Sequence, residues 1–184
     1  MTRPRFTDTP EARFEALYAE HYRQVLGYVL RRAPATVATD VVADVFLVAW
    51  RRLERVPDEP LPWLLGVARK VLANERRGGR RRAALVDALE RNGAEHDTGS
   101  VNEELQALGA AVDRLSETDR ELLRLIAWDG LTTREAAVAL GISHSACRVR
   151  LHRVRRRLTR EIEAGSGSRT ALTSVARLDA RKEM

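Results

Sequence analysis

The sequence predicts an all-α protein made of two small helical domains joined by a flexible linker, the C-terminal one containing a helix-turn-helix. Apolar residues recur at the three- and four-residue spacing of a helix, and alternating strand patterns are few. A small, polar stretch, NGAEHDTGSVN at residues 92–102, separates two helical regions and is predicted to be the linker. Near the C-terminus, capping residues and glycines mark several short helices in close succession.

The N-terminal domain is predicted to span residues 11–91, and its first two helices are predicted at residues 11–31 and 37–52. Each carries an apolar stripe of the kind that packs a helix against a core. The residues predicted to face inward are Phe14, Leu17, Tyr18, His21, Tyr22, Val25, Tyr28 and Val29 in the first helix, and Val41, Val42, Val45, Val48 and Ala49 in the second.

The third helix is predicted from Trp63 to about Arg77. Before it, VPDEPLP at residues 56–62 cannot be helical inside, because each proline lacks a donor and restricts the residue that precedes it. After it, GGRRR at residues 78–82 is predicted to break or fray the helix. A short helix at residues 83–91 is then expected to lead into the linker.

The C-terminal domain is predicted to span residues 103–164, with a flexible tail at residues 165–184 that opens with GSGS. Hydroxyl caps, capping carboxylates and glycines mark the ends of its helices. These signals are Ser116 with Asp119, Gly130, Thr132 with Glu135, Gly141 and Ser143. They predict helices at residues 103–115, 117–128, 133–140 and 144–164. Only three residues join the last two helices, which predicts a helix-turn-helix.

The last helix has the two faces of a recognition helix. One stripe is predicted to pack inward and consists of Cys147, Leu151, Val154 and Leu158, so that Cys147 is interpreted as a small hydrophobic residue rather than a redox switch. The opposite face carries the donors and the apolar contact that read base edges in a major groove. The predicted DNA-contacting residues are Ser145, Arg148, Val149, His152, Arg153 and Arg156. Four flanking arginines, Arg150, Arg155, Arg157 and Arg160, are predicted to contact phosphates. The alternative is a solvated cationic helix.

Charge and composition narrow the class of protein. The chain has 184 residues and a formal net charge of +6, which favours a polyanionic partner, although many solvated surfaces are also basic. A single cysteine excludes an internal disulfide and favours a reducing compartment. No apolar run approaches the roughly 20 residues that span a bilayer, and the N-terminus lacks the apolar core of a signal peptide. A soluble, cytoplasmic protein without membrane insertion is predicted.

Three stretches resemble conserved segments of bacterial RNA polymerase sigma factors. ATDVVADVFLVAWRRL, at residues 38–53, resembles their second-region helix, and LPWLLGVARKVLANERR, at residues 61–77, resembles the segment that follows it. The stretch at residues 115–158, from LSETDRELL to VRRRL, is similar to their fourth-region domain. The order of these stretches, the short linker and the small size match the extracytoplasmic-function (ECF) group.

This resemblance implies the partners core RNA polymerase and promoter DNA. The first domain would bind the polymerase clamp and open the minus-ten element, and the second would read the minus-thirty-five element and dock on the polymerase flap. An anti-sigma factor is a frequent partner of ECF proteins, although nothing in the sequence identifies one. The rival interpretation is a stand-alone helix-turn-helix regulator that does not act through core polymerase, which would usually carry a ligand pocket or a receiver domain.

The second helix has a mixed acidic and apolar face that suits docking on a basic coiled coil of the polymerase. The predicted polymerase-binding residues are Asp40, Asp44, Leu47 and Arg51. An ordinary solvated face is the alternative. The pair Asp40 and Asp44 could also suggest a metal site, but no His or further carboxylate is spaced to complete one.

The third helix is predicted to bury Leu64, Ala68, Val71 and Leu72 and to turn cations and an aromatic outward. Such a face suits a single strand, whose bases stack and whose phosphates need neutralising. The predicted minus-ten residues are Trp63, Arg69, Lys70, Asn74 and Arg77, with Gly66 on the same outward side, although Trp63 could equally be core. The resemblance implies that the loop at residues 55–61 helps to capture a flipped-out base. Many relatives have Arg-Asn and a later Asp where this chain has Arg69-Lys70 and Asn74, so no base preference is inferred.

An enzyme is not predicted. The chain has no Gly-rich phosphate loop, no paired-cysteine metal motif and no His-Glu-x-x-His helix, and its four histidines are scattered. No cofactor, catalytic residue or metal is therefore expected.

Overall fold

The structure is a computed structural model that describes the backbone of residues 9–86 and 109–165 and the side chains of residues 9–78 and 109–161. The helices are α1 (Pro10–Leu30), α2 (Ala35–Arg51), a short 3-10 turn (Leu53–Arg55), α3 (Pro60–Val86), α4 (Glu117–Ala127), α5 (Thr133–Leu140) and α6 (His144–Gly165). Residues 109–113 are also helical, and no strand occurs in the described ranges. The all-α prediction is confirmed.

The chain divides into two compact units, Met1–Asn92 and Gly93–Met184. The predicted linker, the tail after residue 165 and parts of two predicted helices, at residues 87–91 and 103–108, lie outside the described residues. In the first unit α1, α2 and α3 pack against one another, and in the second unit α4, α5 and α6 do so.

The core of the first unit follows the helical periodicity of the sequence. Thr9 caps α1 by accepting a hydrogen bond from the amide of Ala12 at 3.2 Å, and Pro10 occupies the first helical turn, where no intrahelical donor is needed. The stripes of the three helices meet in residues that are at most 2% exposed: Val25, Tyr28, Val29, Ala38, Val41, Val42, Val45, Ala49, Leu64, Leu65, Ala68 and Leu72. Phe46 is also buried, although it was not in the predicted set, whereas Tyr18 is 41% exposed and was wrongly predicted to face inward.

The third helix is longer at both ends than predicted. It begins at Pro60, so that Pro60 and Pro62 lie in its first turn, where the backbone amides have no intrahelical acceptor and a missing N–H loses nothing. It also continues through residues 78–82, which corrects the predicted break, and residues 83–86 belong to it rather than to a separate helix. A glycine costs a helix about 1 kcal/mol but does not clash with the preceding turn as proline does, so the helix continues.

The second unit confirms the local signals at its helix ends. The hydroxyls of Ser116 and Ser143 accept hydrogen bonds from the amides of Asp119 and Ala146, each at 3.2 Å. Thr132 and Glu135 form a reciprocal capping box, with the carboxylate accepting from the Thr132 amide at 2.7 Å. Gly130 and Gly141 adopt φ values of 72° and 69°, in the left-handed region where a side chain is strained. Gly141 therefore ends α5 and permits the turn into α6.

Candidate nucleic-acid interface

The back of α6 anchors the helix to its unit. The predicted inward stripe, Cys147, Leu151, Val154 and Leu158, is at most 4% exposed. Burial raises the pKa of the Cys147 thiol, an effect that the charge of Arg150 partly opposes. The thiol is therefore part of the apolar core, as predicted, and the rotation of α6 about its axis is set by this stripe.

The front of α6 is open to solvent. All six predicted DNA-contacting residues are exposed: Ser145, Arg148, Val149, His152, Arg153 and Arg156. Five of them lie within an arc of about 100° on the helix, and Arg148 lies at its edge. Val149 is 50% exposed, which is unusual for a valine in a packed helix and leaves its methyl groups available to a partner.

The arginines of α6 fall into two sets. The guanidiniums of Arg148, Arg153 and Arg156 have no hydrogen-bond or ion-pair partner among the described residues, and neither does that of Arg160. In contrast, Arg150 donates to Asp119 at 3.2 Å and Arg157 donates to Glu161 at 3.0 Å. The predicted phosphate-contacting set is thus divided, because two of its members already hold carboxylates and Arg155 is half-buried.

The exposed face of α3 is narrower than predicted. Lys70, Asn74 and Arg77 are exposed and share an arc of about 60° with the half-buried Trp63. Arg77 Nη2 donates to Asn74 Oδ1 at 2.8 Å, which orients both polar groups along this face. Consecutive helix residues diverge by about 100°, so the half-buried Arg69 lies to another side.

Gly66 is buried rather than outward, which corrects its predicted position. The adjacent Leu65 and Pro62, one helical turn earlier, are buried as well. The start of α3 is therefore buried on the side where Lys70, Asn74 and Arg77 are exposed further along the helix.

The exposed face of α2 has the residues that were predicted for it. Asp40, Asp44, Leu47 and Arg51 are all exposed and lie within an arc of about 60° opposite the buried stripe. Leu47 is 44% exposed. None of the three charged side chains has an ion-pair partner in the described part of the chain, so this face is available to another molecule.

Comparison with known proteins shows which family contains both units. The family Sigma-70 region 2 matches residues 17–82, which hold most of α1, all of α2 and most of α3. The family Sigma-70, region 4 matches residues 105–158, which hold α4, α5 and most of α6. The ECF RNA polymerase sigma factor SigL of Mycobacterium tuberculosis is 33% identical over 148 residues, which cover 77% of this chain and 84% of SigL. The chain belongs to the ECF sigma factors. As such it binds core RNA polymerase and directs promoter-specific initiation of transcription.

Two solved structures have the fold of this sigma factor. CnrH, which was solved in complex with the cytosolic domain of CnrY, is 26% identical with a TM-score of 0.55, over 87% of this chain and 93% of CnrH. The CnrH sequence comes from Cupriavidus metallidurans. RpoE of Bartonella quintana, solved in complex with the anti-sigma factor NepR, is 21% identical with a TM-score of 0.56, over 83% of this chain and 98% of RpoE. The second likeness is one of fold alone.

An aromatic cluster on the region 2 unit of the sigma factor was missed by the sequence reasoning. Phe14 and Tyr18 of α1 contact Phe46 and Trp50 of α2, with Phe14–Trp50 ring centroids 5.2 Å apart and Tyr18–Phe46 centroids 4.6 Å apart. Tyr22 extends the row, 5.1 Å from Tyr18. The four-residue spacing within each helix was the available signal, but it does not reveal that Tyr18 and Trp50 remain about 40% exposed.

Among the described residues, no group of three or more His, Cys, Asp or Glu side chains could hold a metal ion. None of the described helices of the sigma factor is long and apolar enough to cross a bilayer.

Proposed function

We propose that α6 of this sigma factor reads the upstream promoter element as duplex DNA. The observation that carries the proposal is the set of exposed guanidiniums Arg148, Arg153 and Arg156, which have no partner among the described residues and lie away from a buried stripe. A guanidinium can bond a guanine edge with two parallel hydrogen bonds, and the exposed Val149 can contact a thymine methyl group. Ser145 and His152 supply further donors and acceptors on the same face.

Selection of DNA from a random-sequence pool tests this assignment. The full chain is expected to enrich a defined duplex motif, and the double variant Arg153→Ala/Arg156→Ala is expected to enrich a motif that is degenerate at the positions these side chains read. Arg23→Ala is the matched control, since it removes the same exposed side chain from α1 of the other unit. If the double variant enriches the unchanged motif, the exposed face of α6 does not read bases.

The exposed face of α3 is proposed to engage the single-stranded minus-ten element. Trp63 offers a ring for base stacking, and Lys70 and Arg77 offer charges that neutralise phosphates. Asn74, which accepts a hydrogen bond from Arg77, leaves its amide N–H groups to a base. Arg69 lies off this face and is assigned a secondary part. The loop at residues 56–59 leads into this helix and is proposed to help hold an unstacked base.

The exposed face of α2 is proposed to dock on core polymerase. Asp40 and Asp44 supply charge, Leu47 supplies exposed apolar surface, and Arg51 completes the face. Charged side chains on a docking face favour a partner whose surface carries the opposite charges. An exposed apolar side chain adds contact area to such an interface.

The boundaries of the two domains, the linker and the tail are also proposed. The region 2 domain is assigned to residues 11–91, the linker to residues 92–102, the region 4 domain to residues 103–164 and the tail to residues 165–184. The protein acts by binding and without catalysis of its own, in the cytoplasm. Because CnrH was solved with a protein partner, a regulatory partner of the anti-sigma class is also proposed for this chain. A partner of this class should compete with core polymerase in a pull-down of the full chain.

A further inference from the structure

A groove of about 820 Å³ runs along one flank of α6. Its walls are the start of α4, the turn between α5 and α6, and α6 itself. Arg150, Arg153 and Arg157 line it from the same helix. Spacings of three and four residues place their side chains in one row along the groove.

The two outer arginines of this row are held by carboxylates. Arg150 Nη1 lies 3.2 Å from Asp119 Oδ1, which belongs to the first turn of α4. Arg157 Nε donates to Glu161 Oε1 at 3.0 Å, and the second oxygen of Glu161 accepts from Arg114 at 3.3 Å. The hydrogen bond from Arg157 is the main reason why the pKa of Glu161 lies below its usual range. Arg153, in the middle of the row, has no such partner among the described residues.

Helix stability alone does not account for the pair of Arg157 and Glu161. Both residues belong to α6, and the cation precedes the anion by four residues. This order of charges is the less favourable one for an isolated helix. The carboxylate also accepts a hydrogen bond from Arg114, which belongs to another segment, so it holds two arginines rather than stabilising α6 as a helix.

We propose that Asp119 and Glu161 limit sequence-independent DNA binding by holding Arg150 and Arg157 in intramolecular ion pairs. Each released arginine could contact a phosphate, and such contacts strengthen the binding of every sequence alike. Affinity for non-specific DNA, which offers far more sites than the promoter, would then rise. The two carboxylates are thus positioning residues that limit phosphate contact through the arginines. The inference rests on the proposed reading of duplex DNA by α6.

Binding of the full chain to two duplexes tests the inference, one of random sequence and one enriched by the protein from a pool. Fluorescence anisotropy over a range of KCl concentrations compares Glu161→Gln, Asp119→Asn and the double variant with the parent. Each single variant is expected to bind the random duplex more tightly at low salt and to steepen the slope of log K against log[salt] by about 0.9. The affinity for the enriched duplex should rise by a similar factor, because phosphate contacts do not depend on sequence.

Asp113→Asn is the matched control, because it removes the same charge from a carboxylate that pairs with Arg120 at 3.5 Å, and neither residue lines the groove. Its salt slope should match that of the parent. Asp119 also lies in the first turn of α4, so thermal unfolding is used to check that Asp119→Asn is folded. If Asp119→Asn fails to fold, the salt slope of Glu161→Gln alone tests the inference.

Unchanged salt slopes in Glu161→Gln would overturn the inference, and so would weaker binding of both duplexes, since that result means that the pairs support DNA contact. The underlying proposal fails separately. If Arg153→Ala keeps full sequence discrimination, α6 does not read bases; if Arg153→Ala loses discrimination and Glu161→Gln leaves the slope unchanged, only the role of the carboxylates is wrong.

Discussion

Arg153 and Arg160 of α6 allow base reading to be separated from phosphate contact. Both are exposed, both lack a partner among the described residues, and they point to nearly the same side of the helix, since seven residues make almost two turns. They differ in depth along the axis, because seven residues at about 1.5 Å each place Arg160 some 10 Å further from the N-terminal end that enters the groove. Arg153 is therefore predicted to reach base edges, and Arg160 the backbone.

Arg153→Ala should cost about 1–3 kcal/mol on the preferred upstream duplex and flatten discrimination at one position, because a bidentate base contact is lost. This corresponds to roughly 5- to 150-fold in affinity. Arg160→Ala should weaken binding to all duplexes alike and reduce the salt slope by about 0.9, because one phosphate contact is lost. Neither residue forms an ion pair with any described residue, so the change reports lost DNA contact rather than a lost internal bond.

The assay is anisotropy of the full chain on the enriched duplex and on single-base variants of it, at several salt concentrations. Circular dichroism melting of both variants checks that the fold is retained. If both variants lose affinity uniformly and keep the parent's ranking of sequences, Arg153 does not read bases, and the depth argument for α6 is wrong.

Three further outcomes are expected. Reversing the charges of Asp40 and Asp44 to lysine should weaken binding to core polymerase in a pull-down with an unchanged melting temperature, because both side chains are exposed and have no ion-pair partner where the structure describes the chain; normal binding would mean that this face of α2 is merely solvated. Lys70→Ala/Arg77→Ala in holoenzyme should reduce permanganate reactivity of promoter thymines more than it reduces promoter recruitment, and equal reactivity would count against single-strand contact by α3. Gly141→Ala should destabilise the region 4 unit by about 1–2 kcal/mol, since a side chain is strained at φ 69°, and a melting temperature equal to the parent's would refute that reasoning.

Much of the region 4 unit could be predicted from the sequence because its determinants are local. A capping hydroxyl and the amide it binds are three residues apart, as in Ser116 with Asp119 and Ser143 with Ala146. Helical periodicity likewise assigned the buried stripe of α6 without knowledge of its neighbours. The exposed face of α6 follows from this stripe, because the residues opposite it are nearly all polar or charged and no described helix covers them.

Local rules were less reliable where two opposing effects are close in energy. The pair Gly78-Gly79 lowers helix propensity, but the flanking residues of α3 continue the helix to Val86. Tyr18 belongs to the apolar stripe of α1, yet it lies at the edge of that stripe. Its ring packs against Phe46 there and remains partly exposed. Position on a helical wheel does not say how far a neighbouring helix covers the edge of a stripe.

The sequence by itself determined the helices, their caps and the face that α6 turns to solvent, because these depend on residues within one or two turns of each other. Only the tertiary structure decided that Asp119 holds Arg150 and that Glu161, besides Arg157 four residues before it, also holds Arg114. Asp119 and Arg150 are 31 residues apart in sequence, and Arg114 and Glu161 are 47 apart. Their distances follow from how α4 and the residues before it pack against α6, and a helical period carries no information about a partner in another segment.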